Sequence, residues 1–285
     1  MAVAIDQAGK QDIEIIFIDF DNTSAYNGKL IPEVIIDIKK YLSLRKTHKV
    51  IWTTGRSKLS MDANIKPYFS DEMRRGQVGY ITSGGNAGYN SKMLWKATVP
   101  LDISAKVLEC AHDHGVSGAF HDEEKSYSTL SLQEHEAYNK FIGYPLSREK
   151  KGLQIYTADF TIEKHPNFFI ELETAIGKYY NLHTYTPKND LWANQACMHI
   201  LFNHYDKASG VRLFAEMEGV DLEKTMVLDD QVNGRTMLEM KEPITVVMGN
   251  APQILRDSVL IKFVTKHDLE NGAGYAMRKI IKDMD

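Results

Sequence analysis

The segment Ile13-Glu14-Ile15-Ile16-Phe17-Ile18 constrains the fold most, because it is a nearly continuous run of β-branched and aromatic residues that stops abruptly at Asp19. A strand that is apolar on both faces must be covered on both faces, which is the situation of a central strand in a parallel sheet. Pro32 then opens a stretch with Val34, Ile35, Ile38, Tyr41 and Leu42 at helical spacing. Proline suits a first helical turn, since its missing N–H is unused there. The strand pattern returns at Lys49 to Thr54 and Val78 to Thr82, running into the polar turns Thr54-Gly55-Arg56 and Ser83-Gly84-Gly85-Asn86. It appears again at Thr225 to Leu228, Ile244 to Met248 and Ile261 to Val264. Strands alternating with helical patterns predict an α/β, Rossmann-like core: a parallel sheet with helices on both faces.

Between about Gly88 and Asn194 the segments become more aromatic and more polar. Candidate strands at Tyr127 to Leu132 and Leu153 to Ala158 loosely alternate apolar and polar residues, as a half-solvated antiparallel sheet requires. His165 to Lys178, with Phe168, Phe169, Leu172 and Ile176 on one face, reads as a helix covering it. The expectation is an inserted α+β domain at 88–194 within a core made of 1–87 and 195–285, a division that a chain of 285 residues accommodates.

Composition narrows the function classes. A net charge of -4 argues against a broad nucleic-acid footprint, and no apolar run is long enough to span a membrane. Cys110 and Cys197 are too few for a disulfide scaffold, which fits a reducing cytoplasm. Met1 to Asp12 has no apolar signal region and reads as a frayed leader. The oligomeric state is unknown from sequence.

Ligands of open parallel sheets collect beyond the carboxyl ends of the strands. There the chain places Asp19-Phe20-Asp21-Asn22-Thr23, then Thr54, and later Leu228-Asp229-Asp230-Gln231-Val232-Asn233, while Lys207 opens a helix. Any one of these aspartates alone would read as a turn former or helix cap. Together and in this order they resemble the haloacid dehalogenase superfamily, and within it the Cof-like sugar-phosphate phosphatases. Asp230 to Leu238 and Val247-Met248-Gly249-Asn250-Ala251-Pro252 extend the resemblance, and the insertion stands where that family carries a substrate-selecting cap.

The resemblance implies a Mg2+-dependent phosphatase acting on a small phosphorylated metabolite, a sugar phosphate. Asp19 would be the nucleophile, forming an aspartyl phosphate, and Asp21 the acid and base. Asp19, Asp230 and the backbone carbonyl of Asp21 would hold Mg2+, while Thr54 and Lys207 would hold phosphoryl oxygens. Arg56, Gly85, Asn86 and Asn233 would be further substrate contacts. Relatives usually carry a second acidic residue where this chain has Gly234. Neighbouring strand residues point to opposite sides, so Asp229 is not expected to replace it, and Gly234→Asp is expected to tighten Mg2+. A phospho-ligand binding protein with weakened turnover and a phosphomutase are the rival readings. His112, His114, His121 and Asp122 could suggest a transition-metal site, but solvated side chains are the simpler reading.

Overall fold

The computed structural model describes residues 2–142, 144–147, 154–161, 166–185 and 197–284. The chain opens with β1 (Val3–Ala4) and β2 (Ile15–Ile18). A hairpin of β3 (Ala25–Tyr26) and β4 (Lys29–Leu30) follows, turning at Asn27-Gly28 with φ of 48° and 73°, the left-handed values that this dipeptide tolerates. Next come α1 (Pro32–Leu44), β5 (Lys49–Thr53), α2 (Lys58–Arg74), β6 (Val78–Thr82), β7 (Ala87–Asn90) and β8 (Lys92–Lys96). Five strands then form a separate sheet: β9 (Gly118–His121), β10 (Ser126–Ser128), β11 (Thr157–Thr161), β12 (Tyr180–Tyr185) and β13 (Cys197–Phe202). With them are α3 (Leu101–Asp113), α4 (Leu132–Ile142) and α5 (Pro166–Ile176). The remaining elements are α6 (Lys207–Glu218), β14 (Thr225–Asp229), α7 (Arg235–Leu238), β15 (Ile244–Val247), α8 (Gln253–Arg256), β16 (Phe263–Val264) and α9 (Gly272–Ile280).

The main sheet runs β1-β16-β15-β14-β2-β5-β6-β7-β8, parallel from β1 to β6 and antiparallel over the last two pairings. All four residues of β2 are buried, as an apolar run on a central strand demands. Ile16 and Ile18 face the cluster built by α1, α2 and α9, including Ile38, Ile65 and Met277. Ile15 and Phe17 face Val211 and Phe214 of α6 and Met237 of α7, with Phe17 and Phe214 in edge contact at 5.9 Å. Burying each such side chain contributes roughly 1.5–3 kcal/mol, so truncation of Phe17 on this doubly covered strand would be costly. Among the described residues no helix is long and apolar enough to cross a membrane.

The second sheet is antiparallel, in the order β10-β9-β11-β13-β12. One face packs Phe120, Ala158, Phe160, Met198 and Ile200 against Val107 of α3 and Phe168 and Leu172 of α5. On the other face, α4 brings Tyr138 and Ile142 against Ala119 and Cys197.

Four local expectations change. The hairpin at 87–96 extends the main sheet, while β13 belongs to the second sheet, so the sheets do not divide at 88 and 194. Leu132 opens a helix instead of ending a strand, because the Ser131 hydroxyl accepts the Glu134 N–H at 3.3 Å and the Glu134 carboxylate accepts the Ser131 N–H at 3.1 Å. The leader is not frayed: Val3 and Ala4 pair with Phe263 and Val264, and Ile5 is buried. The strand expected at Leu153 to Ala158 lies at Thr157–Thr161, with Leu153 itself outside the described residues.

Candidate active site

Asp19 follows the last residue of β2 and is buried, its N–H bonded to the Leu228 carbonyl at 2.9 Å. The turn after it is held by Ser24, whose hydroxyl donates to the Asp19 carbonyl at 2.8 Å and accepts from the Trp52 indole at 3.0 Å. Asn22 takes a left-handed φ of 55°, a value asparagine tolerates better than most residues. These constraints bring Asp19 and Asp21 to one cavity of about 500 Å³, which Thr54, Arg56 and Asn233 also line.

Lys207 reaches this site from the first turn of α6, a helix capped by Asp206, whose carboxylate accepts the Ser209 N–H at 2.7 Å. Its ammonium donates to Asp19 Oδ1 at 2.7 Å and to Asp229 Oδ2 at 2.6 Å. Burial works against that charge, yet Asp19 and Asp229 outweigh it and raise the Lys207 pKa. Beside them Asp230 accepts from Thr23 at 3.1 Å, from Gln231 at 2.7 Å and from Asn250 at 3.2 Å. Asn250 also donates to the Asn22 carbonyl at 2.8 Å, tying the two acidic loops together.

Asp19, Asp229 and Asp230 each offer an oxygen within 4.8 Å of the others. Burial pushes the Asp19 carboxyl well above the usual range; Lys207 pulls it down, while Asp229, Asp230 and Asp21 push it further up. Burial, and then Asp229, lift Asp230 to about 7. Three buried carboxylates crowd beside one ammonium, which bonds two of them. An all-oxygen set of this kind fits a hard divalent cation such as Mg2+.

Asp229 departs from expectation. Its carboxylate turns to Lys207 and lies against Gly234, so that a Cβ built on Gly234 would overlap the Asp229 carboxylate group. Gly234 has an ordinary φ of -91°, hence it is close approach and not backbone conformation that calls for glycine. Side-chain alternation separates Leu228 from Asp229, but it lapses at Asp230, where the strand has ended, so both aspartates reach the site. Asp229 thus fills the space that a side chain at 234 would occupy, so the room expected there for a second carboxylate is already taken.

Asp21 is held by Arg56, whose Nε and Nη2 donate to its two oxygens at 2.8 Å each, with the guanidinium 4.9 Å above the Phe20 ring. Thr54 Oγ1 accepts the Arg56 N–H at 3.1 Å, which leaves the hydroxyl proton to be donated elsewhere. Gly85 and Asn86 stand apart from the cavity. Gly85 abuts the Asp206 backbone, and the Asn86 amide is used up by the Ser83 and Phe202 carbonyls and the Tyr205 N–H, bracing the junction of the two sheets. At the same junction buried Glu123 reaches from the second sheet to accept from Thr82 at 2.8 Å, from Ser83, and from the Lys58 N–H at 2.9 Å.

The histidine cluster is dispersed: His112 sits beside Asp113, and His114 bonds Glu171 on the helix side of the second sheet. His121 instead lines the cavity, together with Tyr138, Tyr144, Asp159 and His199, none of which the motif reading identified as site residues. The signal that could have found Asp159 and His199 is the two-residue alternation of β11 and β13.

A parallel sheet with acidic strand ends, a buried lysine and an inserted antiparallel sheet defines a class of hydrolase fold. The sequence pattern of the haloacid dehalogenase-like hydrolases matches residues 16–277, and the chain belongs to that family. A Streptococcus pyogenes protein named as a candidate phosphatase is 29% identical over 73 residues, 26% of this chain and 26% of that protein. Among solved structures, a Thermotoga maritima protein superposes with a TM-score of 0.76 at 18% identity, covering 95% of this chain and 98% of its own. A haloacid dehalogenase-like hydrolase from Bacteroides thetaiotaomicron gives 0.75 at 16% identity, covering 94% and 99%. A sugar phosphatase of subclass IIB gives 0.70 at 20% identity, covering 93% and 98%.

Proposed function

We propose that the chain is a Mg2+-dependent phosphatase that hydrolyses a small phosphorylated metabolite, of the sugar-phosphate class, through an aspartyl phosphate on Asp19, and that it works in the cytoplasm. The observation that carries this reading is Asp19 itself, a buried carboxylate facing an open cavity, gripped by Lys207 and flanked by an oxygen cluster suited to a cation. The sugar phosphatase among its likenesses supports the substrate class, and the phosphatase-named streptococcal protein supports the reaction.

An Asp19 oxygen forms a bond to phosphorus as the ester P–O bond breaks, and the electron pair leaves with the alkoxide, which takes a proton from Asp21. Water then attacks phosphorus and gives a proton back to Asp21, the bond to Asp19 breaks, and phosphate departs. Lys207 and Thr54 donate to phosphoryl oxygens. Mg2+ held by Asp19, Asp230 and the Asp21 carbonyl, with Asp229 alongside, would offset the charge of the phosphate dianion. Both Asp21 oxygens are bound to Arg56, so Arg56 has to release one before Asp21 can pass a proton. Asn233 and Arg56, which line the cavity, would be further contacts of the ester.

A phosphate-release screen over metabolite phosphoesters tests the reading. Mg2+ is expected to support turnover, and chelation by EDTA to lower it by roughly 10³-fold, the scale of several kcal/mol of charge stabilisation. Isomerised sugar phosphate without free phosphate would mark a mutase, and binding without either product a phospho-ligand protein. For Asp21→Asn a loss of about 10²–10⁴-fold is expected with alkyl esters and a smaller one with p-nitrophenyl phosphate, whose leaving group needs no proton. Equal losses on both would remove Asp21 from the first step.

A further inference from the structure

The cavity wall opposite the aspartates belongs to the second sheet, and strand alternation decides what it presents. On β11, Ala158 and Phe160 turn toward α3 and α5, which leaves Thr157 and Asp159 for the cavity. On β13, Met198 and Ile200 turn the same way, and His199, directly opposite Asp159, faces the cavity. His121 does so on β9, next to Phe120, which packs with the helices.

These groups form one hydrogen-bonded chain. His199 Nδ1 lies 2.9 Å from Asp159 Oδ1, and the Tyr138 hydroxyl donates to Asp159 Oδ2 at 2.6 Å. Tyr138 is also 3.1 Å from His121 Nε2, and His121 Nδ1 is 3.0 Å from the Tyr144 hydroxyl, which lies 3.3 Å from Ser57 on the main-sheet side. With Nδ1 committed to Asp159, the His199 ring points Nε2 at the catalytic loop, 4.0 Å from where a Cβ on Gly55 would stand.

Burial disfavours a charged His199, but the Asp159 carboxylate outweighs it and raises the imidazole pKa. Burial likewise opposes an ionised Asp159, yet His199 draws it down to about 2. Burial pushes His121 to about 4, which keeps it neutral. Each member of the His199–Asp159 pair thus favours the charged form of the other, and the rest of the wall is dipoles and rings.

Resting on the phosphatase reading, we propose that His199 and Asp159, positioned by Tyr138 and His121, form the leaving-group site and accept a neutral polyhydroxylated alcohol, a sugar or polyol. His199 Nε2–H donates to one hydroxyl, Asp159 and Thr157 accept from others, and Ile142 with the tyrosine rings covers C–H faces. A leaving group bearing a second phosphate or a carboxylate meets no unmatched positive charge on the described part of this wall: His199 is matched by Asp159 and Arg56 by Asp21. Burying such an anion without a partner is costly.

The test compares hexose, pentose and alditol monophosphates with fructose 1,6-bisphosphate, 3-phosphoglycerate and n-hexyl phosphate, using p-nitrophenyl phosphate as a reference. A neutral polyol ester should show the highest kcat/KM. His199→Gln should lower that value by about 10–100-fold more than the value for p-nitrophenyl phosphate, the scale of a charged hydrogen bond. Tyr138→Phe should shift the same ratio in the same direction, and gives a second variant if His199→Gln fails to fold. In the inactive Asp19→Asn background, calorimetric binding of the best polyol ester should weaken by a similar factor on adding His199→Gln, a readout independent of turnover. Failure of wild type to release phosphate from every ester, with that binding difference intact, would sink the phosphatase reading alone. Preference for a doubly anionic ester, or for n-hexyl phosphate, or an unchanged ratio with unchanged binding, would overturn the assignment of the wall.

Discussion

Asp19→Asn is expected to abolish turnover, with a loss on the order of 10⁶-fold, the scale on which removal of a covalent nucleophile is felt. The amide is nearly isosteric but cannot form the acyl phosphate. The fold should survive, because burial already pushes this carboxyl toward its neutral form and the substitution relieves repulsion from Asp229 and Asp230. Lys207 keeps Asp229 as its partner at 2.6 Å. A thermal melt beside a sensitive phosphate assay checks both halves. Turnover near the wild-type rate in a folded Asp19→Asn protein would remove Asp19 from the role of nucleophile.

Gly234→Asp is expected to damage the protein instead of improving its metal site. The new Cβ would overlap the Asp229 carboxylate, and a third carboxylate would compete for Lys207 beside Asp19 and Asp229. Overpacking and an unpaired buried charge each carry penalties of about 1–5 kcal/mol, which together should lower the melting temperature by roughly 10 °C. The informative variant is the exchange Asp229→Gly with Gly234→Asp, which restores one carboxylate to the same space from the other side. It should recover most of the lost stability and measurable Mg2+ binding by calorimetry. If Gly234→Asp alone melts like wild type, or if the exchange is no better than the single change, then the two positions do not share that space.

What could be read from sequence follows from how each segment is buried. β2, β5 and β6 were legible because strands covered on both faces must be apolar at every position, and α1 because Val34, Ile38, Tyr41 and Leu42 mark a single buried stripe. Asp19, Asp21, Thr54 and Lys207 were legible because sheet geometry places strand ends and helix starts together. The leaving-group wall was not. Asp159 and His199 are forty positions apart and belong to strands that are polar on one face, so they meet only through antiparallel register. Asp229 was misjudged because alternation holds only as long as the strand does, and the chain leaves β14 at that residue. Leu132 was misplaced although Ser131 and Glu134 carry the spacing of a capping box.

The position of β2 in the main sheet also governs the order in which the protein can be assembled. Its neighbours are β5, which follows shortly in the chain, and β14, which comes only after the whole second sheet, with Ile15 opposite Thr225. Until the ribosome has delivered residues 225–229, the segment Ile15–Ile18 presents an unpaired apolar edge, the kind of edge that invites pairing with other chains. A pairing closed over such a long loop is also intrinsically slow. Fragments ending before β14 should therefore aggregate, and chaperone engagement during synthesis should persist until that strand emerges. The same seam joins Asp19 to Asp229 and Asp230, so the acidic cluster cannot come together before β14 has been made.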